Sequence, residues 1–469
     1  LDVLTGLGNG FSTAAATECP VLIGGGVGVP PLYNLAKKLH AAGKKVQVVL
    51  GFNRADEIFY ADEFRALIAE AYATVSDDRG LASFRSDEML MDGTMAANDL
   101  NSYKDIWIWN DYAASENTAT FKWRQFYHVL FIANYVIESE SMIENGTSEE
   151  IRQMVGEAYM LRAYMHFILV NLHAPAYTKC DPAATKAVPL KLDSDTENTL
   201  SRNTVAEVYA SILDDLESAE DYLNVDSWET GLNYRFTTLS VDAIRSRVCL
   251  YMGDWSGAYK AAQSVLAVKS ELADVAKMLP SDYRSVESIV SLEEVMSAQY
   301  ARAMKVAPAF FKMYGTGDLR KNKYYKQITA SKVDLLKGGS NQYSCTVRVG
   351  EMYLNAAEAA LQGGTENGLD EARTQLLTLQ QARYNASAYA AKIKSVNEMT
   401  SEDLLQEIYD ERARELAFEG HRWFDLRRTT QPRIVKTFKG EEYVLEEGDE
   451  RYTIRIPAEA IEANPNLAN

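Results

Sequence analysis

The feature that most constrains the fold is a helical pattern of apolar side chains over residues 151–175, IRQMVGEAYMLRAYMHFILVNLHAP. Apolar residues recur there at spacings of three or four, which is the period of one helix face: Met154, Ala158, Leu161, Met165, Ile168 and Leu172. Pro175 follows this pattern, and a residue that precedes proline disfavours helical backbone. The stretch therefore predicts one long helix that ends just before Pro175 and is buried against other helices.

Two later stretches predict helical hairpins. Residues 237–266 place their turn at Gly253–Asp254, and residues 347–384 place theirs at Gly363–Gly364. Small residues that let helices pack closely follow the first turn, at Ala258, Ala261 and Ala262. Hairpins that recur with a length of about 34 residues are typical of tetratricopeptide-like repeats. We therefore predict a mostly α fold in which such hairpins form a superhelical scaffold.

Polar loops that are rich in aromatic residues separate the predicted hairpins, at residues 85–120, 224–236 and 312–344. Long loops carried by a rigid scaffold are where binding residues concentrate. We therefore predict a loop-rich, irregular side of the molecule that binds a ligand.

Trp107 and Trp109 are the first candidate ligand contacts, because a spacing of two places both indoles on one face of a strand. On that interpretation they form a platform on which sugar rings stack; the alternative is packing in the core or within the loop. Trp228 and Tyr234 are the second pair of candidates, since they lie in a polar loop. If none of the four contacts ligand, the next segment to test is Tyr314–Tyr325.

Charge and cysteine content exclude several classes of function. The 66 acidic residues outnumber the 48 basic ones and give a net charge of −18, which argues against binding to nucleic acid or to an anionic membrane surface. The four cysteines stand far apart and form no Cys-x-x-Cys pair, so neither an iron–sulfur centre nor a structural zinc site is predicted. No apolar run reaches the roughly 20 residues that span a membrane.

The N-terminal segment has a different character from the rest of the chain. The stretch CPVLIGGGVGVPPL, followed by a helical pattern and the apolar run VQVVL, predicts a β-α-β unit with Gly24, Gly26 and Gly28 at its turn. Glycines at the start of a helix allow a dinucleotide pyrophosphate to approach the backbone. Residues 1–64 closely resemble a fragment of the electron-transfer subunit of dihydroorotate dehydrogenase, a relative of the ferredoxin reductases.

That resemblance implies a glycine turn that contacts a nicotinamide nucleotide. The family's flavin-binding barrel and its cysteine cluster for a two-iron centre have no counterpart in this sequence. We therefore predict that Gly24, Gly26 and Gly28 bind no dinucleotide and that the chain holds no cofactor. A natural fusion, an error of gene prediction and a misassigned sequence are alternative origins of residues 1–64.

The motif DERARELAFEGHRWFDLRRT, residues 410–429, carries glutamates at a spacing of four, which repel one another on a helix face unless cations lie between them: Glu411, Glu415 and Glu419. Its own arginines, Arg412, Arg414 and Arg422, are predicted to supply those cations. Glu415 and Glu419 are rejected as a glycosidase pair, because neighbours on one helix do not straddle a sugar. His421 and Asp425 are rejected as a metal site, because two ligands do not make one. No catalytic residue is predicted.

Four separated motifs resemble the SusD/RagB family of outer-membrane nutrient-binding lipoproteins: GEAYMLRAYMHF, RVGEMYLNAAEAAL, RARELAFEGHRWFDLRR and YTIRIPAEAIEANPNL. The resemblance implies four tetratricopeptide-like units, a loop-rich glycan-binding side, and a TonB-dependent, SusC-like transporter as partner. It also implies a location at the outer membrane through a lipidated N-terminal Cys, which a chain that begins at Leu1 does not show.

We therefore expect two domains, residues 1–64 and residues 65–469, the second being SusD-like. The predicted function is non-catalytic binding of oligosaccharide for uptake across the outer membrane. Two alternatives stay open: a nicotinamide- or flavin-dependent electron-transfer protein, and a helical-repeat scaffold for protein partners.

Overall fold

The computed structural model describes residues 21–25, 35, 39, 41–51, 61–143, 146–329 and 332–468. Helix accounts for 54% of it, which confirms the mostly α prediction. The chain forms two compact units: a small one of Leu1–Glu63 with Ile143–Gly146, and a large one of Phe64–Met142 with Thr147–Asn469.

Two parallel strands characterise the small unit, β1 (Val21–Gly25) and β2 (Gln47–Gly51), with Val21 opposite Gln47. Parallel pairing is what a β-α-β unit requires, so the two strands predicted from the sequence are confirmed. Gly24 lies in β1, whereas Gly26 and Gly28 lie outside the described residues. The expectation that this turn binds no dinucleotide stays a prediction.

Over the described residues from 61 to 268, the helices are numbered α1 to α8. In chain order they are α1 (Ala61–Thr74), α2 (Asp78–Ser83), α3 (Ala97–Trp107), α4 (Trp123–Glu138), α5 (Ser148–His173), α6 (Val205–Tyr222), α7 (Thr238–Met252) and α8 (Trp255–Val268). The long α5 ends two residues before Pro175, as its sequence predicts.

The helices of the second half run from α9 to α17, and several are single turns. They are α9 (Ala298–Arg302), α10 (Pro308–Phe311), α11 (Lys321–Tyr324), α12 (Val349–Ala359), α13 (Gly368–Arg383), α14 (Ala386–Glu398), α15 (Ser401–Glu415), α16 (Arg422–Arg428) and α17 (Ala458–Ala463). Within the described part of the chain, no helix has the length and apolar character needed to cross a membrane.

Helical hairpins build the scaffold of the large unit. Helices α5 and α6, α7 and α8, and α12 and α13 pack against each other in pairs, and α8 packs in turn against α12. The turn predicted at Gly253 is confirmed: its φ of +75° is a left-handed conformation that only glycine adopts without strain, and Asp254 then caps α8 by accepting a hydrogen bond from the Gly257 N–H. Consecutive hairpins therefore stack as tetratricopeptide-like units.

Short antiparallel strand pairs hold the long loops together. They pair β3 (Met89–Leu90) with β5 (Lys305–Val306), β4 (Ser288–Val290) with β8 (Val347–Arg348), β6 (Tyr325–Gln327) with β7 (Val333–Leu335), and β9 (Ile434–Phe438) with β10 (Glu441–Leu445). The first two pairs join segments that are distant in sequence, so they fix loop regions that the helical hairpins alone would leave unconnected.

The motif at residues 410–429 is a helix, a turn and a second helix. Helix α15 ends at Glu415, the turn contains Phe418 with a φ of +57°, and α16 begins at Arg422. Glu419 therefore lies in the turn, and the predicted run of three glutamates along one helix face is wrong beyond Glu415.

The glutamates of this motif are neutralised mainly by arginines from other parts of the chain. Glu415 forms ion pairs with Arg320 at 2.8 Å, Arg348 at 2.6 Å and Arg383 at 2.9 Å. These three arginines also pair with further buried glutamates. We call the whole set the Glu415 cluster, and its members are Glu287, Arg320, Arg348, Arg383, Glu411, Glu415 and Glu419. All of them are at most 4% exposed, so the large unit contains a cluster of buried, mutually paired charges.

Two of the three arginines predicted to separate the glutamates have other partners. Arg414 bonds Glu411 at 2.7 Å, as predicted. Arg412 instead pairs with Asp425 at 3.1 Å, and Arg422 pairs with Asp87 at 2.7 Å. The prediction that all three arginines separate the glutamates is wrong, because the turn after Glu415 redirects Arg422.

Candidate functional site

Trp107 and Trp109 do not form a stacking platform on a strand. Trp107 is the last residue of α3, and Trp109 follows it with a φ of +60°. Each side chain is 1% exposed, and the indole N–H groups donate to the Met89 and Arg85 carbonyl oxygens at 3.0 and 2.9 Å. A buried ring offers no face to a sugar, so both are set aside as ligand contacts.

A buried lysine explains why both indoles are held in the core. The Lys436 side-chain nitrogen lies 5.2 Å from the ring centre of Trp107 and 4.3 Å from that of Trp109, and it donates to three backbone carbonyl groups. The two rings enclose this side chain, which is a structural role. The tyrosines of the segment Tyr314–Tyr325 are likewise in the core, since Tyr314, Tyr324 and Tyr325 are at most 2% exposed.

Trp228 is half-buried in the loop between α6 and α7. Its indole N–H donates to the Phe236 carbonyl oxygen at 3.1 Å, and the Arg235 guanidinium lies 3.8 Å from the ring centre. Arg235 therefore covers one face of this indole, which reduces the surface that Trp228 can offer to a ligand.

Tyr234, the fourth candidate, lines an open cleft with a volume of about 500 Å³. We call it the Tyr234–Tyr283 cleft. It lies where α1, the loop before α7, the segment around β4 and the turn at residues 341–344 meet. The described residues that line it are Ala69, Tyr72, Ala73, Gly231, Asn233, Tyr234, Tyr283, Ser291, Leu292, Asn341 and Ser344. Its size falls within the range of about 300–1,000 Å³ that is common for ligand sites.

Asn233 joins two walls of the cleft. Its side-chain amide donates to the Tyr283 carbonyl oxygen at 2.6 Å and to the Ser288 hydroxyl at 3.0 Å. The main-chain carbonyl oxygen of Asn233 accepts from the Ser291 N–H at 2.9 Å. The Tyr283 N–H donates in turn to the Gln342 carbonyl oxygen at 3.0 Å. These bonds fix the three loops relative to one another, so the cleft is preorganised.

Tyr72 of α1 presents its ring to the cleft while its hydroxyl is fully engaged below. The hydroxyl donates to Glu157 at 2.7 Å and accepts from the Phe236 N–H at 3.0 Å. Burial and the Glu157 carboxylate raise the pKa of Tyr72 well above its ordinary value, so this hydroxyl stays protonated. The Tyr72 and Tyr234 rings meet edge to face, with centres 5.4 Å apart.

The charges beneath the cleft are paired. Arg235 donates to both carboxylate oxygens of Glu157, at 3.0 and 2.6 Å. Burial alone would lower the pKa of Arg235, but the hydrogen bonds and charge of Glu157 outweigh it and raise that pKa. The guanidinium therefore stays charged and committed to Glu157.

Several polar groups at the cleft are free. Among the described residues, none donates to or accepts from the Tyr234, Tyr283 and Ser344 hydroxyls or the Asn341 side-chain amide. Tyr234 and Tyr283 are also only half-buried, so their rings are accessible in part. Aromatic faces can stack on the C–H groups of a sugar ring, while neutral hydroxyl and amide groups can hydrogen-bond its hydroxyls.

The structure also places the groups rejected as catalytic or metal-binding. Glu415 and Glu419 are at most 3% exposed and bonded to arginine, while Asp425 accepts from Arg412 and Arg428. Burial and nearby arginines lower the pKa of His421 well below its ordinary value, so it is neutral. Over the residues that the structure describes, no group of three or more His, Cys, Asp or Glu side chains is arranged to hold a metal ion.

Part of the candidate site has no signal in the sequence. The loops singled out as aromatic-rich contain Asn233, Asn341 and Ser344 besides Tyr234. Tyr72 and Tyr283 were missed, because one belongs to a helix and the other to a stretch without an aromatic neighbour. Their proximity depends on how the loops pack.

Part of the chain is similar to electron-transfer proteins. It is 40% identical over 89 residues to the electron transfer subunit of dihydroorotate dehydrogenase B (NAD(+)) from Fusobacterium nucleatum, and 46% identical over 89 residues to that from Geobacillus kaustophilus. Each match covers 19% of this chain and 34% or 35% of the relative, so the chain spans about a third of the length of these curated relatives.

The large unit shares its fold with solved SusD superfamily structures. A protein from Bacteroides fragilis is 22% identical with a TM-score of 0.73, and one from Bacteroides thetaiotaomicron is 22% identical with a TM-score of 0.68; each comparison covers 87% of this chain and 99% of the other. A laminarin binding SusD-like protein is 18% identical with a TM-score of 0.56, over 79% of this chain and 92% of that protein.

Two family models match the sequence itself. Residues 55–250 match a SusD-like family described as starch-binding and associating with the outer membrane, and residues 314–468 match the SusD family. Together these ranges include the helices α5 and α6, the motif at residues 410–429 and the C-terminal motif YTIRIPAEAIEANPNL. With the shared fold, they show that this chain belongs to the SusD family.

Proposed function

We propose that this protein is a non-catalytic oligosaccharide-binding component of an outer-membrane nutrient-uptake system and that the Tyr234–Tyr283 cleft is its binding site. The observation that carries the proposal is the combination, in one preorganised cleft, of two half-exposed tyrosine rings with free neutral hydroxyl and amide groups. Membership of a family described as starch-binding and associating with the outer membrane supports the ligand class and the location.

The non-catalytic part of the proposal is supported by what the cleft is made of. A glycosidase places two carboxyl groups about 5–10 Å apart across the sugar. The described lining consists of tyrosine, asparagine, serine, alanine, glycine and leucine, which can hold a sugar without cleaving it. The bound oligosaccharide would then pass unchanged to a TonB-dependent, SusC-like transporter. Copurification with such a transporter, coexpressed in an outer membrane, tests that partner.

Binding is tested with a glycan array, followed by isothermal titration calorimetry of maltohexaose, laminarihexaose and each oligosaccharide that gives a signal. We expect saturable binding of at least one oligosaccharide and unchanged chain lengths by mass spectrometry after prolonged incubation. Absence of binding across the array would contradict oligosaccharide binding. Shortened products that persist after stringent purification would contradict the non-catalytic role.

A nicotinamide-dependent function has one observation in its favour, the match of 40–46% identity to electron-transfer subunits. A pyrophosphate turn is a small part of a nicotinamide site, and hydride transfer also requires an acceptor, such as a bound flavin, held beside the nicotinamide. We expect a colourless protein that does not change NADH fluorescence saturably. Saturable binding of NADH in the micromolar range would favour this second function.

A further inference from the structure

We infer that the Tyr234–Tyr283 cleft selects uncharged oligosaccharides over those that carry carboxylate, sulfate or phosphate groups. The inference rests on the proposed function and adds the class of oligosaccharide. The first observation is the lining: every described residue that lines the cleft is uncharged, although 24% of the residues in the chain are charged.

The free hydrogen-bonding groups at the cleft match the hydroxyl groups of a neutral sugar. The Tyr234, Tyr283 and Ser344 hydroxyls can both donate and accept, and the Asn341 amide offers two donors and an acceptor oxygen. A sugar hydroxyl also donates and accepts, so each of its lone pairs and protons can find a partner. A carboxylate or sulfate only accepts, and it would leave the acceptor side of these groups unused.

The arginines that follow Tyr234 and Tyr283 in the chain are already paired with carboxylates. Arg235 is bonded to Glu157 through two hydrogen bonds, and Arg284 is bonded to Asp282 in the same forked manner, at 2.9 and 2.7 Å. Arg284 also lies over the Tyr283 ring, 5.6 Å from its centre. An anionic sugar would give up its hydration without gaining a free cation, which is unfavourable.

The charge of the whole molecule acts in the same direction. A net charge of −18 creates a negative potential that repels anionic ligands during approach and leaves neutral ones unaffected. The cost of removing water from an anionic sugar in the cleft and the long-range repulsion by the net charge therefore both favour neutral oligosaccharides.

The experiment compares matched pairs by calorimetry: each neutral oligosaccharide that binds on the array, and the same oligosaccharide after oxidation of its C6 hydroxymethyl groups to carboxylates. We expect the oxidised form to bind at least about ten-fold more weakly at physiological ionic strength. Equal or tighter binding of the oxidised form would overturn the inference and leave oligosaccharide binding standing. If no oligosaccharide of either kind binds, the proposed function fails as well.

Two variants locate the source of the discrimination. Asn341→Lys places a free cation on an exposed turn of the cleft. We expect it to lower the ratio of the dissociation constant of the oxidised form to that of the neutral form by about three-fold or more. Arg284→Gln should leave the ratio within about two-fold of the original, because this guanidinium is committed to Asp282. A ratio that Asn341→Lys does not change would show that the discrimination arises outside the cleft and would overturn the assignment.

Discussion

The Glu415 cluster and the Tyr234–Tyr283 cleft use polar groups in opposite ways. In the cluster, charged side chains are buried and bonded to one another, and each carboxylate faces more than one cation or donor. In the cleft, the Tyr234, Tyr283 and Ser344 hydroxyls and the Asn341 amide are neutral, at least partly exposed and free to bond a ligand. The comparison indicates that buried charges hold the fold together, whereas the binding proposed for the cleft would fall to uncharged groups.

The largest effect is expected from neutralising the centre of the cluster. Glu415→Gln leaves Arg320, Arg348 and Arg383 buried with one fewer negative charge, and losing one partner of a buried ionic group costs about 3–5 kcal/mol of the free energy of unfolding. Urea denaturation measures the loss.

The control is Glu446→Gln, whose partner Arg433 lies 3.1 Å away at the surface, with both side chains more than half exposed. It should change the free energy of unfolding by at most about 1 kcal/mol. If the two variants lose similar amounts of the free energy of unfolding, the buried cluster stabilises the fold no more than a surface ion pair does.

The second prediction concerns the loss of stability at low pH. Burial raises the pKa of Glu415, but the charges of Arg383, Arg348 and Arg320 outweigh it and hold that pKa well below its ordinary value of 4.5. The unfolded chain therefore takes up protons as the pH falls through about 4.5 while the folded chain does not, so this stabilisation is present above that pH and is lost below it. The free energy of unfolding should fall by about 2 kcal/mol or more between about pH 5 and pH 3.

Glu415→Gln removes the titrating group. The fall in the free energy of unfolding between about pH 5 and pH 3, measured by urea denaturation, should therefore be smaller in this variant. If the free energy of unfolding falls as much with acid in the variant as in the original protein, Glu415 is not the source of the pH dependence.

The third prediction tests the cleft. Tyr283→Ala removes a half-exposed ring from the lining, and we expect it to weaken oligosaccharide binding by about 1–2 kcal/mol, measured by calorimetry. Tyr283→Phe retains the ring and should lose less. Tyr112→Ala is the matched control, because this tyrosine is 65% exposed and lies outside the described lining. A loss for Tyr112→Ala equal to that for Tyr283→Ala would place the site elsewhere.

The smallest effect is expected at Trp228. Arg235 covers one face of its indole, so Trp228→Ala should weaken binding by only about 0.5 kcal/mol, acting through the position of the neighbouring loop. Calorimetry with the same oligosaccharide measures it. A loss larger than that of Tyr283→Ala would restore Trp228 as a principal ligand contact.

The same contrast explains what the sequence could predict. The hairpins were predictable because periodicity and a turn glycine such as Gly253 are local signals. The partners of Glu415 were not, because Arg320 and Arg348 lie 95 and 67 residues away along the chain. The spacing of Trp107 and Trp109 was misleading, since a helix ends between them and turns both indoles into the core. Tyr72 and Tyr283 line the same cleft through tertiary packing alone, which no short motif encodes.

The most direct test of the account is the dissociation constant of the double variant Tyr234→Ala/Tyr283→Ala for a neutral oligosaccharide identified on the array. We predict that it rises by at least about thirty-fold, as the loss of two stacking rings implies, while the free energy of unfolding changes by less than about 1 kcal/mol. A dissociation constant within two-fold of the original, in a variant that is equally stable, would contradict the assignment of binding to this cleft.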